Sequence, residues 1–368
     1  MTSTIPATTH PVDVDDVRER VDAALSRFLD MQEDRYRAMA ADDTGRAQWA
    51  AAIDTLRSFL IGGKRLRPAF CYWGWRGAGG DAEDEGVIAA AAALELLHAF
   101  ALIHDDIIDE SDTRRGAPSL HRQHAQLHHA EAMRGSSELF GTSVALLLGD
   151  LCLAWFHELL GSSGLPPQRL AAVQPMVAQS FAELVLGQYL DVAEQARSTH
   201  SVERARTIIH YKTAKYTIER PLHLGGLLAG ADADLLDSYT GYALPLGEAF
   251  QLRDDVLGAF GDAAVTGKPV GDDLRTRKPT VLLATARRRA DAAQLAEIDQ
   301  AFAAGDLDDE QVRRAQSIIV DSGALAECEQ LITRHADTAR QALAAMRVPR
   351  HVRAMLTELL VAATDRAW

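Results

Sequence analysis

Cysteine is scarce. Cys71, Cys152 and Cys328 are the only three in 368 residues, and no two are spaced as a pair. A disulfide-stapled scaffold is thereby excluded, as is a zinc site built on paired cysteines. Aromatic residues make up 6% of the chain, and extended alternating runs of Val, Ile, Thr and Tyr are missing. Sandwiches and barrels are therefore not expected. Basic residues are in deficit: 38 Lys and Arg stand against 52 Asp and Glu, a net charge of −14. Such a surface repels a phosphate backbone, so no nucleic-acid partner is expected. Any phosphate this chain binds has to be gripped by a few placed cations or through metal ions. The most apolar segment, Val87 to Ile103, carries Glu95 and His98. It falls short of the ~18 uninterrupted apolar residues of a spanning helix. Met1 to Asp16 has neither the basic flank nor the apolar stretch of a secretory signal. The expectation is a cytoplasmic chain without a membrane span.

What is present is helix. The composition is ordinary for a globular protein, 47% hydrophobic and 24% charged. From Val14 onward, Ala, Leu, Arg and Glu dominate, with apolar residues at three- and four-residue spacing. Glycine- and proline-bearing breaks fall at 77–80, 116–118, 161–167, 230–232 and 258–279. Between them the pattern predicts helices over 14–40, 45–60, 66–76, 84–110, 138–160, 168–196, 201–228, 233–257, 279–303, 308–321, 323–346 and 349–366. Residues 1–12 read as a disordered tail. Residues 13–368 read as one all-α domain, a bundle of about a dozen helices around a central apolar pocket. Helices 84–110 and 168–196 have too many apolar positions for one surface stripe and are expected at the centre.

Two acidic segments carry the chemistry. His104-Asp105-Asp106-Ile107-Ile108-Asp109 closes a strongly apolar helix. Asp105 and Asp109 are four residues apart and share a face, so both can ligate a hard divalent cation, and oxygen-only ligation favours Mg²⁺. As a solvated helix end the same acids would oppose the macrodipole. The second segment, Phe250-Gln251-Leu252-Arg253-Asp254-Asp255, also ends an apolar helix, with Gln251 on the face of its two acids. Two such edges facing each other across a cavity would hold a diphosphate through Mg²⁺.

Local cations complete the pattern. Gly62-Gly63-Lys64-Arg65-Leu66-Arg67-Pro68 puts Lys64 and Arg67 one turn apart at a helix start, where free N–H groups favour an anion. Arg114 and Arg115 follow Asp109, Lys212 and Lys215 lie inside an apolar helix, and Lys268 and Lys278 follow the second acidic pair. His98, two turns before Asp105, is suited to donate to a second diphosphate. His121, His124, His128 and His129 read as a polar helix face. Gln188 and Asp191 lie on an apolar helix and are candidates to line the cavity.

In this order and spacing, the Gly62–Pro68 string, the 104–118 block, Gly149-Asp150, Lys212-Thr213 and the 250–269 block resemble the trans-isoprenyl diphosphate synthases. The similarity extends over about residues 50–285. It implies the all-α isoprenoid synthase fold, usually as a homodimer. It also implies head-to-tail condensation of isopentenyl diphosphate with an allylic prenyl diphosphate. Carried over position by position, Asp105, Asp109 and Asp254 match Mg²⁺ ligands, with Asp106 and Asp255 beside them, and three ions are expected. Arg114, Lys212, Lys268 and Lys278 match the allylic diphosphate site. Lys64, Arg67, His98 and Arg115 match the isopentenyl diphosphate site. Thr213 and Gln251 match positions near the developing cation. Two positions depart from the family pattern: Gly258 stands where a third aspartate is usual, and Arg277 where a glycine usually precedes the later lysine.

Phe100, five residues before Asp105 and beside the small Ala101, resembles the chain-length floor of geranylgeranyl diphosphate synthases, with Leu97 beneath. Farnesyl or longer products are the alternatives. A class I terpene cyclase would lack the second aspartate pair and the isopentenyl site. A non-catalytic partner subunit would have lost acidic ligands.

Overall fold

The computed structural model describes residues 13–197, 199–261, 270–303 and 307–364. The expected tail at 1–12 and Lys268 lie outside the described residues. The chain divides by its own packing into two compact units, 1–172 and 173–368.

In the first unit a single 3₁₀ turn (Val14–Asp16) leads into α1 (Val17–Met39), α2 (Asp43–Leu60), α3 (Leu66–Gly77) and α4 (Glu85–Ile108). A two-residue hairpin follows, β1 (Thr113–Arg114) with β2 (Ala117–Pro118), then α5 (Leu120–Ala130) and α6 (Ser137–Gly161). α4 is the hub and packs on α6, α3 and α1. It is apolar all round, which only an interior position stabilises. Caps fix the starts: Asp42 accepts from Gly45 N at 2.7 Å, Asp84 from Gly86 N at 2.7 Å and Ser136 from Leu139 N at 3.2 Å.

α7 (Pro167–Arg197) begins in the first unit and lies mostly in the second. Next come α8 (Val202–Ile208), an 11-residue π-helix (Ile209–Glu219) and α9 (Arg220–Ala229). They are followed by α10 (Ala233–Phe260), the short α11 (Asp272–Arg275) and α12 (Val281–Arg289). The second unit closes with α13 (Ala292–Ala303), α14 (Asp309–Asp321), α15 (Ala324–Ala345) and α16 (Arg350–Thr364). Its hub is α10, packed on α15, the π-helix and α16.

Four differences from expectation stand out. The region 279–303 is two helices, because Asp291 caps a new start: its carboxylate accepts from Gln294 N at 2.9 Å while Gln294 accepts from Asp291 N at 3.0 Å. Residues 120–130 form the helix that the four histidines indicated, but His121 and His128 are buried in it rather than part of a polar face. α7 is not wrapped on all sides, since Val185, Leu186, Tyr189 and Val192 are exposed. By length and hydropathy α4, α6 and α7 each meet the requirement for crossing a membrane, contrary to the expectation from uninterrupted runs. α4 is nearly three-quarters buried, whereas α6 and α7 each show an apolar row.

Candidate active site

In the first unit, the end of α4 and the hairpin bring acids and cations together. Asp109 caps α4, its N–H donating to Asp105 O at 2.8 Å. Asp105 is half-buried and Asp106 only 1% exposed. The hairpin turns through Arg115 and Gly116, both at positive φ (52° and 77°), which is the geometry of a two-residue loop matched to strand twist. That turn sends Arg114 back to α4. Its Nε donates to both Asp106 oxygens, at 3.0 and 2.9 Å, and its terminal nitrogen adds a second bond to one of them. Burial works against the Arg114 charge, but the Asp106 bonds and the nearby Asp105 and Asp109 charges outweigh it and raise the pKa. Asp106 therefore fixes the Arg114 guanidinium in this conformation, while Asp105 and Asp109 flank it.

Arg115 takes the other direction, donating to Ile61 O at 3.3 Å and lying against Gly63. His98, half-buried on α4, is held well below the usual imidazole range by burial and then by the charges of Arg67, Arg115, Arg114 and Arg65. It is neutral at physiological pH and sits among guanidinium groups. Arg67 is half-buried in the first turn of α3 and Lys64 exposed in the loop before it. The motif's middle cation, Arg65, is structural. It is 4% exposed at φ 50°, ion-paired with buried Glu95 and with Asp22, and donates to Leu60 O at 2.7 Å. Phe100 meets the His104 ring edge to face at 4.8 Å, with Leu97 buried and Ala101 half-buried on the same helix.

In the second unit the π-helix is the organising feature. Such widened turns insert a residue and redirect side chains, frequently at functional sites. Two glycines admit it. A Cβ on Gly187 of α7 would stand 2.7 Å from Lys212 N, and one on Gly247 of α10 would stand 2.3 Å from Ala214 Cα. Lys212 donates to buried Asp191 at 2.7 Å. Thr213 Oγ1 donates to Gln251 Oε1 at 2.8 Å, and Gln251 Nε2 donates to Asp255 Oδ1 at 2.9 Å. Asp191, Lys212, Thr213, Gln251, Asp255 and Lys278 all line one cavity, with Ile208 and Val281 among its apolar walls. Gln188, half-buried on α7, is not among the lining residues, whereas Asp191, one turn on, is. Asp254 is half-buried at the start of α10's last two turns.

Asp255 is 3% exposed. Burial pushes its carboxyl up to about 7, with the Gln251 bond and Lys278 opposing and the Asp273 and Asp254 charges adding. Among the described residues its Oδ2 accepts no hydrogen bond. Sequence reasoning did not single out Asp273. The signal was there in part, as an acid pair (Asp272-Asp273) downstream of a glycine where a carboxylate was due.

Mg²⁺ fits these donors in a particular way. Among the described residues no three His, Cys, Asp or Glu enclose a metal by themselves. Mg²⁺ is commonly held by one or two carboxylates, with phosphate oxygens and water completing its shell. In the second unit the Asp255 oxygen, which accepts no hydrogen bond among the described residues, and in the first unit Asp105 one turn from Asp109, each suit an ion that arrives with a phosphorylated ligand.

Comparison with known proteins agrees with the geometry. The polyprenyl synthetase family model matches residues 50–319. A geranylfarnesyl diphosphate synthase of Aeropyrum pernix is 32% identical over 298 residues, 80% of this chain and 86% of that one. A (2E,6E)-farnesyl diphosphate synthase of Mycobacterium tuberculosis (strain H37Rv) is 33% identical over 219 residues, 60% of this chain and 55% of that one. Among solved structures, a geranylgeranyl pyrophosphate synthase from Corynebacterium glutamicum, complexed with isoprenyl diphosphate and magnesium, superposes with a TM-score of 0.89. It is 40% identical, covering 96% of this chain and 100% of that one. The chain is thus a prenyltransferase and belongs to the polyprenyl synthetase family.

Proposed function

We propose that this chain makes geranylgeranyl diphosphate, as a cytosolic homodimer without a membrane span, using three Mg²⁺ ions per active site. The reaction class is the family's: isopentenyl diphosphate is joined to an allylic diphosphate and diphosphate leaves. The observation that carries the reading is the hydrogen-bonded row Thr213–Gln251–Asp255, lining one cavity with Lys212 and Lys278.

Each part of that row has a task. Breaking the allylic C–O bond leaves a carbocation and an anionic diphosphate. Lys212, held in place by Asp191, and Lys278 line the cavity and supply positive charge for that anion as it develops. Thr213 donates its proton to Gln251, so its own lone pairs remain to face the cation. Arg67, Arg115 and Lys64 are suited to hold the second diphosphate. Neutral His98 adds an N–H donor there without further charge. Asp105, Asp109, Asp254 and Asp255 are the residues that would hold Mg²⁺. The bound ion supplies Lewis-acid neutralisation of phosphate oxygens. The proton lost after condensation goes to the departing diphosphate, since among the described residues no side-chain base is singled out for it. The apolar walls exclude water, which would quench the cation to an alcohol.

Support for the twenty-carbon product comes from Phe100, five residues before Asp105, and from the kinship with geranylgeranyl synthases. The kinship with a farnesyl synthase favours the shorter product as second reading. The dimer is supported by the exposed apolar row Leu139, Leu146 and Leu147 on α6, and by Val185, Leu186 and Tyr189 on α7. Three free, buried cysteines suit a compartment that keeps thiols reduced. In the deciding experiment, purified protein with Mg²⁺ elongates farnesyl diphosphate with radiolabelled isopentenyl diphosphate, and chromatography shows the twenty-carbon diphosphate. No extractable prenyl product from any primer of five to fifteen carbons would refute the reading.

A further inference from the structure

Between the cavity residues Gln251 and Asp255 stands an arginine that faces the other way. At ~100° per residue, Arg253 lies about 200° around α10 from each of them. Its side chain is 11% exposed and forks onto Glu329 of α15, Nη1 to Oε1 at 2.6 Å and Nη2 to Oε2 at 2.8 Å. Its Nε donates to the backbone O of Thr364, the last described residue of α16, at 3.1 Å. One side chain thus joins the cavity-lining turns of α10 to two C-terminal helices.

The sequence of α10 calls for such a brace. Pro245 stands inside the helix and has no N–H to donate to Gly241 O, and Gly241 and Gly247 flank it without side chains. The turns that carry Gln251, Asp254 and Asp255 lie beyond that weakened stretch. Leu252 and Val256 bury those turns in the apolar core, but such contacts are non-directional. Gln316 of α14 adds a bond to Ala259 O at 2.6 Å, in the last turn. α16 spans the gap itself. On one side of Pro245, buried Tyr242 donates from Oη to Leu356 O at 2.7 Å, and on the other Arg253 donates to Thr364 O. Stability is a weak reason for the arginine, since a buried ion pair gains little over well-packed apolar side chains of its size. What the fork supplies is direction, two parallel bonds in one plane.

We propose that α16 is a splint across the Pro245 break, and that Arg253 is the positioning residue through which α16 and Glu329 set the rotation of the turns carrying Gln251 and Asp255. The inference rests on the reaction proposed above, in which those turns serve. It gives α15 and α16 a part in turnover, although none of their described residues lines the cavity.

The test assays the full chain with Mg²⁺, farnesyl diphosphate and isopentenyl diphosphate, and reads backbone hydrogen exchange by mass spectrometry on peptides from 246–260. Arg253→Met keeps an unbranched side chain of similar length, and Glu329, 33% exposed, is left where water reaches it. This variant should lower kcat about ten- to a hundredfold, the scale of a misplacement remote from the chemistry, with KM for each diphosphate within about threefold. Exchange over 246–260 should quicken about tenfold while peptides of α13 keep the parent rate. Arg288→Gln, which removes an ion pair between α12 and Glu327 of α15, should leave both readings unchanged. Circular dichroism and thermal melting establish folding, and if Arg253→Met fails to fold, Glu329→Gln decides by the same two readings. Parent-like kcat or parent-like exchange in the folded variant overturns the proposal, as does an equal loss in Arg288→Gln. A parent chain that yields no prenyl product overturns the proposed reaction instead, and the exchange reading then decides the splint by itself.

Discussion

At the scale of single residues, the second acidic pair is asymmetric. Asp254 is half-buried, while Asp255 is enclosed among Gln251, Lys278, Asp273 and Asp254 and holds its proton to about pH 7. The unfolded chain gives that proton up near the ordinary aspartate value, so between the two values the folded state binds more protons. Stability from this group is complete below the unfolded value and is lost as pH rises through about 7. In EDTA, the unfolding free energy from urea titration should therefore fall between about pH 5 and about pH 8, by up to a few kcal/mol, and Asp255→Asn should flatten that slope. A variant with the parent's slope would show that another group is responsible. Phe100 is the residue to change for product length. Phe100→Ala removes the ring packed on His104 and should shift the chromatographed product toward longer chains, and an identical distribution would place the floor elsewhere. Most site residues were legible as residue types at helical spacing. Asp273 was not, because Gly258 in the sequence does not say which distant side chain fills its space.

At the scale of elements, the π-helix is the least legible part of the fold. Its 11 residues sit inside a pattern that fits one continuous helix over 201–228, and so short a stretch cannot distinguish a wider turn by periodicity. Its effect lies in geometry, since it brings Lys212 and Thr213 to the cavity. Gly247→Ala tests this. The new methyl group would meet Ala214 backbone at 2.3 Å, so helix and π-helix must part. The expected cost is about 1–3 kcal/mol in urea unfolding, with a fall in kcat larger than any change in KM. Parent-like stability and turnover would mean the close approach is dispensable. Other misses were readable in principle. Asp291-Ala-Ala-Gln294 spells a capping box, which ends one helix and starts another within the region read as continuous. α5 was readable only through the helical spacing of its four histidines, without bounds.

At the scale of the whole molecule, an all-α chain built on apolar helices was readable from composition, because strand-forming runs are missing. The division into two compact units was not, since no linker composition marks residue 172 and the boundary falls inside α7. Hydropathy alone also fails to separate buried α4 from α6, whose Leu146 and Leu147 are exposed. If that row is a self-association surface, Leu147→Glu should convert the dimer to monomer in light scattering after size exclusion, without loss of helical circular dichroism. A dimer that persists would move the interface elsewhere. The cysteines carry a consequence of their own. Cys71 and Cys152 lie in the first unit and Cys328 in the second, all buried, and burial raises each thiol's pKa, that of Cys152 and Cys328 to about 12. An alkylating reagent finds almost no thiolate on the native protein. The order in which these sulfurs become labelled during slow denaturation is therefore a built-in clock, recording which half of the polypeptide opens first.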